Sequence, residues 1–324
     1  MEPEKPDPSD CCGSGCSPCV FDIYEQQLKS WRENLLWENA NCRRDLLSET
    51  RFKSFQLIHK ERLTEDVYLY KFRPEDDSGS IRETCGFLPY GIGQHLITRI
   101  NFKQESQEIN PMWDTEFNSS ETSSISDKKI ITRAYTPVSL TNEEPNCCFK
   151  IFVKICNNGL GSEYFRNLQV GDISLWRGPY GNFNYKSNFF KYILMVCIGT
   201  GLAPMIPIAK CILNDEKDET ILHLMYGVKS EDHIIMRDSL RKMSQFWNFS
   251  HEYFFSQCND RKFHMKFGES FKSKRIDGSS VSDFFQGKNL THLQVLICGS
   301  EGFTSYMLDQ ISKLGIDSEN IFTF

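Results

Sequence analysis

The hydrophobic rhythm of this chain changes once, between Tyr185 and Phe189, and that change restricts its fold more than any other feature. Before it, short segments with alternating apolar residues recur at Ser54–His59, Val67–Phe72, His95–Asn101, Arg133–Val138, Phe149–Ile155 and Ile173–Trp176. Turn residues separate them (Pro89, Gly91, Gly93, Asn157-Asn158-Gly159, Gly171-Asp172), and short strands at this spacing predict an antiparallel barrel or sandwich. After it, an apolar strand at Tyr192–Ile198 passes through a glycine-bearing turn into a helix at Ala203–Leu213. A strand at Thr220–Tyr226, a helix at Ile234–Phe246, strands at Glu252–Phe255 and Leu293–Cys298, and a helix at Phe303–Leu314 follow. That alternation predicts a parallel doubly wound sheet, a fold that places nucleotide sites at its strand ends. Between the last two strands, residues 256–286 are charged and carry only weak signals.

The expected class is therefore β plus α/β in three parts: an N-terminal segment over 1–50, an all-β domain over 51–185 and an α/β domain over 186–324. A chain of 324 residues is too long for one average domain and suits two. The first part holds the run Cys11-Cys12-Gly13-Ser14-Gly15-Cys16-Ser17-Pro18-Cys19 and then an amphipathic helix candidate over Phe21–Leu36. Lys103–Lys129 is polar, Ser-rich and without period, which predicts a long loop projecting from the β domain. The chain ends Ile321-Phe322-Thr323-Phe324, a β-like apolar tail expected to dock against the fold.

Charge and composition exclude several classes. The net charge is −6 and no Lys/Arg run makes the footprint that nucleic acid requires, so no nucleic-acid partner is expected. The longest apolar run, Tyr192–Ile198, falls far short of the ~20 residues of a membrane-spanning helix, and the N-terminus is acidic and Pro-rich, unlike a signal peptide. The expectation is a chain without a transmembrane segment, cytoplasmic or peripheral to a membrane, and not secreted. Cysteines such as Cys148, Cys156, Cys197, Cys211 and Cys298 then read as reduced thiols, and sequons such as Asn118-Ser119-Ser120 as chance matches.

Four motifs carry candidate chemistry. Gly199-Thr200-Gly201, followed by Pro204, joins a strand to a helix, so that small residues and a helix start suit a pyrophosphate or flat ring; such turns also serve packing alone. In Arg133-Ala134-Tyr135-Thr136 a guanidinium suits a phosphate and a Tyr face suits a flat ring, although exposed alternation on a strand explains the same pattern. Gly159-Leu160-Gly161-Ser162 precedes a helix candidate at Glu163–Leu168 and offers backbone donors with Ser162 as N-cap. Arg177-Gly178-Pro179-Tyr180-Gly181 reads as a structural turn out of the barrel.

Taken in order, Gly93-Gln94-His95, Arg133–Val138, Lys154, Gly159–Ser162, Gly178–Gly181, Gly199–Met205 and Cys298-Gly299 resemble the NADH–cytochrome b5 reductases of the ferredoxin-reductase superfamily, over roughly Phe52–Phe324. The resemblance implies a six-stranded barrel that binds FAD, with Arg133 on the pyrophosphate, Tyr135 against the isoalloxazine and Thr136 near its polar edge. It sets Lys154 and the Gly159–Ser162 turn, with Gly161, around the remaining phosphates, and counts Ala134 and Phe152 among the flavin-binding residues. On the other side it implies that Gly199, Thr200 and Gly201, with Pro204 and Gly299, meet the nicotinamide. Thr200 and Cys298 would flank the hydride path, Cys298 being equally readable as a small apolar strand end. By the same resemblance Phe324 is a candidate to cover the flavin. The implied activity moves a hydride from NADH to FAD and then single electrons to an acceptor protein such as cytochrome b5; a flavin-binding or degenerate reductase scaffold that acts as an interaction protein is the alternative.

The chain departs from the family pattern at three places. Ala134 stands where a Pro is usual, Ile198 where the turn usually begins with Gly, and Cys298-Gly299-Ser300-Glu301-Gly302-Phe303 replaces a proline-rich run. At the strand ends that usually choose between NADH and NADPH, Gly227–Ser230 and Ser256-Gln257 offer no carboxylate, and Lys229 tolerates a phosphate, so the expectation of NADH rests on the resemblance alone. Cys11, Cys12, Cys16 and Cys19 resemble a Cys-rich oxidoreductase-like N-terminal segment. They read as part of a small interaction segment, as metal ligands or as redox-active or modified thiols.

Overall fold

A computed structural model of the chain describes residues 46–75, 88–102, 129–257 and 269–324 except 142 and 144–146, with single positions in 1–45 and 258–268. The Cys11–Cys19 run and the expected loop at 103–128 lie outside the described residues. Of the helix expected at Phe21–Leu36, only Phe21, Tyr24, Glu25 and Leu28 are described, and they are helical.

Six antiparallel strands form the first sheet: β1 (Lys53–Arg62), β2 (Val67–Pro74), β3 (His95–Phe102), β4 (Lys129–Tyr135), β5 (Phe149–Lys154) and β6 (Ile173–Tyr180). Their order is β4-β3-β6-β1-β2-β5. The sheet closes into a barrel where Pro137, just past β4, bridges Ile151 on β5 and the Val138 N–H donates to the Lys150 carbonyl at 2.8 Å. Pleating sends alternate residues to opposite faces, so on β5 Phe149, Ile151 and Val153 join the barrel core with Phe55, Tyr70, Phe72 and Trp176. Phe152, between them, joins a different core. The strand expected at Ile173–Trp176 runs on to Tyr180, so Arg177–Tyr180 are strand rather than turn, and the chain leaves the barrel only at Gly181, where φ is 108°. The helix α1 (Leu160–Asn167) covers one end, burying Phe165, whose carbonyl accepts the Tyr70 hydroxyl at 2.6 Å.

The second sheet is parallel: β7 (Tyr192–Ile198), β8 (Ile221–Val228), β9 (Phe249–Phe255), β10 (Ser270–Lys272), β11 (Leu293–Cys298) and β12 (Ile321–Thr323), in the order β10-β9-β8-β7-β11-β12. Along β7, Ile193, Met195 and Cys197 pack with helices α2 (Leu202–Leu213) and α3 (Arg237–Met243) on one face. Leu194 and Val196 pack with α4 (Gly278–Phe285) and α5 (Glu301–Ser312) on the other. An apolar run without alternation is what a strand covered on both faces requires.

Two expectations change here. The helix expected over Ile234–Phe246 shortens to α3, because Met236 adopts a left-handed φ of 55° and cannot continue a helix from Ile234. The weak segment at 256–286 holds β10 and α4, the latter started by Asp277, whose carboxylate accepts from the Ser280 N–H. The apolar C-terminus docks as expected, through β12 on β11 and the Phe324 N–H donating to the Ile297 carbonyl at 3.1 Å.

The two sheets share one core. Val67, Val138, Phe152 and Phe183 from the barrel side pack in the same cluster as α2, β7 and β8. Fully burying an aliphatic or aromatic side chain contributes about 1.5–3 kcal/mol, so these four residues resist separation of the sheets.

Candidate functional site

Strands β8, β9 and β10 run to one side of β7, whereas β11 and β12 lie on the other. In an open parallel sheet, ligands bind outside the strand ends at the point where the order reverses. Here that point is the pair of turns after β7 and β11. Cys197 and Cys298 face each other in register, and a single 3₁₀ turn, Gly199–Gly201, leads from β7 into α2. The turns touch at Gly201, where any Cβ would overlap the Cys298 carbonyl oxygen. Only glycine permits this approach, which sets the turn after β7 against the end of β11, and Thr200 and Cys298 line the same cavity.

A cavity of about 1160 Å³ opens at this junction and extends to the barrel. Among the residues expected from sequence, it is lined by Ala134, Tyr135, Thr136, Phe152 and Lys154 from the barrel and by Gly199, Thr200, Gly201, Pro204, Cys298 and Gly299 from the α/β part. Tyr135 is fixed edge-on to Phe165, with ring centroids 5.1 Å apart, and to Trp176 at 6.0 Å. Burial pushes its phenol up to about 12, against the opposing Arg133 charge, so it stays neutral at physiological pH. Burial also pushes the Cys298 thiol up to about 11. It is therefore a neutral wall group rather than a thiolate nucleophile.

Arg133, Gly159, Gly161 and Ser162 do not line the cavity but stand together beside it. Gly161 lies against the Arg133 side chain, with Cγ 3.7 Å from where a Cβ would sit. The exposed guanidinium donates to the neighbouring Thr132 carbonyl at 2.8 Å and to no carboxylate among the described residues. The expected Ser162 cap is corrected. Helix α1 starts earlier, at Leu160, with Gly159 at the N-cap position and no side-chain cap, while the Ser162 hydroxyl accepts the Cys156 N–H at 3.0 Å. Uncapped helix N–H groups beside an unpaired guanidinium are what a pyrophosphate requires. The residues present thus fit FAD along the edge from Arg133 to Thr136.

Phe324 sits elsewhere. Its ring packs on Phe183 and Phe322, with centroids 5.3 and 4.9 Å away, and it is not among the cavity's lining residues. Gly93, at φ 75°, lies under both Phe183 and Phe324, with their nearest ring carbons 2.8 and 2.9 Å from where a Cβ would be. The terminal ring thus seals the seam between the two sheets. Ile198, which replaces a glycine of the resembled pattern, also has its space. Glycines flank it at Gly227 and Gly299, and a Cβ at either would come within 2.9 Å of an Ile198 side-chain carbon.

Charged residues that the motifs did not single out complete the lining. Asp66 receives Lys154 at 3.3 Å and Lys229 at 3.9 Å, an ion cluster that crosses from barrel to α/β sheet. Burial pushes the Asp66 carboxyl up, but Lys154, the Thr64 hydroxyl and Lys229 outweigh it and hold it below the usual range. Lys154 is thus already paired. Lys274, Arg275 and Asp277 add to the wall from the segment after β10, and Tyr306 from α5. Among the described residues no group of three or more His, Cys, Asp or Glu side chains is arranged to hold a metal. No described helix is long and apolar enough to cross a membrane.

Comparison with known proteins agrees with this architecture. Residues 119–185 match the family described as Oxidoreductase FAD-binding domain, and residues 195–309 the Oxidoreductase NAD-binding domain. Residues 1–39 match Oxidoreductase-like protein, N-terminal. The chain is 33% identical over 338 residues to a human protein named NADH-cytochrome b5 reductase-like, covering 100% of this chain and 95% of that one. The chain belongs to the NADH-cytochrome b5 reductase-like family. A mouse protein of the same name is 31% identical, with 100% of this chain and 95% of that protein covered. The cytochrome b5 reductase domain of Ulva prolifera nitrate reductase shares the fold with a TM-score of 0.66 at 23% identity, covering 86% of this chain and 99% of that one. The chain is accordingly an oxidoreductase that binds FAD and NAD, built on the ferredoxin-reductase fold.

Proposed function

We propose that the chain takes a hydride from NADH onto FAD and passes electrons to a one-electron acceptor protein such as cytochrome b5. The observation that carries this reading is the convergence in one cavity of the Tyr135 ledge and the touching Gly201 and Cys298 turns. Bound FAD supplies acceptance of a hydride and release of electrons; the chain's residues position and shield. In this reading Arg133, with Gly159, Gly161 and Ser162, neutralises the flavin pyrophosphate, while Ala134, Tyr135, Thr136, Phe152 and Lys154 form the flavin's wall. Thr200 and Cys298 flank the hydride path. The Thr200 hydroxyl contributes a polar contact, the neutral Cys298 thiol keeps water out, and Gly199, Gly201, Pro204 and Gly299 allow the nicotinamide to approach. Aligning two flat rings in this way converts a bimolecular encounter into an oriented transfer. Phe324 acts in the same reading at one remove, by holding the sheets together.

The working domains are 51–185 for FAD and 186–324 for the dinucleotide, with 1–50 as a Cys-rich appendage. Free thiols at Cys156, Cys197, Cys211 and Cys298 support a reducing location, cytoplasmic or at a membrane surface. The scaffold alternative rests on Ile198 and on the segment after Cys298. With Ile198 packed between two glycines and the cavity open, the enzyme is the better reading. The visible spectrum of the purified chain tests it, followed by anaerobic addition of NADH and then of oxidised cytochrome b5. A yellow protein that bleaches and recovers its colour is expected; a colourless protein, or flavin that NADH leaves oxidised, overturns the proposal.

A further inference from the structure

The ends of three neighbouring strands meet along one wall of the cavity. Lys229 directly follows β8, Ser256 directly follows β9, and Arg275 lies just past β10, which ends at Lys272. Backbone bonds hold these ends in place. The Ser256 N–H donates to the Val228 carbonyl at 3.0 Å, and the Gln257 N–H to the Lys229 carbonyl at 2.9 Å. Ile276, next to Arg275, reaches over β8, with its Cδ1 3.4 Å from where a Cβ on Gly227 would lie.

In parallel sheets of this kind, a carboxylate near these strand ends pairs the hydroxyls of an unmodified adenosine ribose, whereas a cation there accommodates a 2′-phosphate. Two carboxylates line the cavity, and both are engaged. Asp277 accepts from Lys274 Nζ with both oxygens at 3.0 Å, and also from the Ser280 N–H and the Ser279 and Ser280 hydroxyls. Asp66 is shared between Lys154 and Lys229. One carboxylate facing two ammonium groups leaves a positive surplus. Arg275 is exposed and makes no ion pair among the described residues, and the Ser256 hydroxyl is exposed beside Lys229.

We propose that Lys229, Ser256 and Arg275 form a 2′-phosphate site, so that the chain accepts NADPH as well as NADH. The inference rests on the reading of the cavity as the dinucleotide site. A guanidinium gives a phosphate two parallel charge-assisted bonds, and an ammonium and a hydroxyl complete the oxygen partners.

The test is calorimetric binding of adenosine 2′,5′-bisphosphate and of 5′-AMP to the purified full-length chain, paired with anaerobic flavin reduction by NADPH and NADH. The bisphosphate should bind about tenfold or more tightly than 5′-AMP, as expected for added charge-assisted bonds. Arg275→Gln and Ser256→Asp should each remove most of that preference and lower the NADPH-to-NADH ratio of kcat/KM by about the same factor. Both positions are exposed, and the flavin spectrum reports folding in each variant. Equal binding of the two nucleotides, or a preference that survives both substitutions, overturns the inference while NADH still bleaches the flavin. If neither nucleotide binds and NADH leaves the flavin oxidised, the dinucleotide reading fails and this one with it.

Discussion

Replacing Gly201 with alanine isolates the contact between the two turns that form the cavity floor. Its backbone is ordinary right-handed helix, φ −60° and ψ −7°, so alanine meets no conformational penalty. At such a position Gly→Ala normally stabilises by about 0.4–1 kcal/mol, through the unfolded chain. Here the added Cβ overlaps the Cys298 carbonyl oxygen and would sit 2.7 Å from its carbon and 3.2 Å from the Gly299 nitrogen. All three atoms are backbone, at the end of a strand paired to β7 on one side and β12 on the other, and none can swing away. Forcing a methyl into such a site costs about 1–3 kcal/mol, so the net expectation is destabilisation of roughly 1–2 kcal/mol and a Tm lower by about 2–8 °C. Gly302 is the control. It lies in α5 with nothing within 4 Å of where a Cβ would sit, so Gly302→Ala should hold or raise Tm. Circular-dichroism melts read both, and stopped-flow flavin reduction should slow by about tenfold or more in Gly201→Ala as the turn is displaced. A Gly201→Ala protein that melts at or above the parent and reduces flavin at the parent rate would refute the contact.

Three further outcomes follow from the same geometry. Arg133→Ala should weaken FAD binding by about tenfold or more, read as flavin lost on gel filtration, because a charge-assisted bond to a phosphate contributes about 1.5–3 kcal/mol; full flavin occupancy would count against its assignment. Asp277→Ala removes the side-chain cap of α4 and should cost about 1 kcal/mol in urea unfolding. Burial pushes the Asp277 carboxyl up, but the Ser280 N–H, Lys274 and the two serine hydroxyls outweigh it and hold it well below the usual range. Its contribution is therefore present above about pH 4 and fades as pH falls, so Asp277→Ala should flatten the acid limb of stability. Burial, then Lys288 and His251, push the His223 imidazole down to about 4 where it stacks on Phe284 at 4.9 Å. The unfolded chain takes up a proton below about pH 6.5 that the folded chain refuses, so stability should drop between those values. His223→Gln should reduce that slope; an unchanged slope would place the proton elsewhere.

Much of the fold was legible because strands buried on both faces and strands buried on one face leave different patterns. Tyr192–Ile198 is apolar throughout because α2 and α5 cover opposite faces, while β5 alternates because its inner and outer residues enter different cores. What was not legible depended on neighbours distant in sequence. The Asp277 cap with Val281 and Phe285 behind it is a helix start that local chemistry announces, yet β10 before it is three residues long and exists only by pairing with β9. Met236 delays the start of the expected helix to Arg237 through a left-handed φ that no turn residue signals. Around the cavity, motif order singled out the glycine turns and Arg133 because the spacing within each motif is local. Asp66 escaped notice because its partners come from far along the chain, Lys154 through the pairing of β2 with β5 and Lys229 through the docking of the two sheets.

That docking bears on how the cavity can work. A transfer between two flat rings tolerates little misplacement, so the walls that hold them must not slide. Surface ion pairs such as Lys210 with Glu143 at 2.8 Å contribute at most about 1 kcal/mol each and cannot alone fix two sheets. The shared apolar cluster can, and its members sit beside the cavity itself. Phe152 and Val67 are buried in that cluster and also line the cavity, and Ala203 from α2 does the same from the other side. The terminal strand adds a second tie, with Phe322 and Phe324 closing on Phe183 and with Gly93 leaving them room. The C-terminus of the chain thus closes the seam on which the proposed transfer depends.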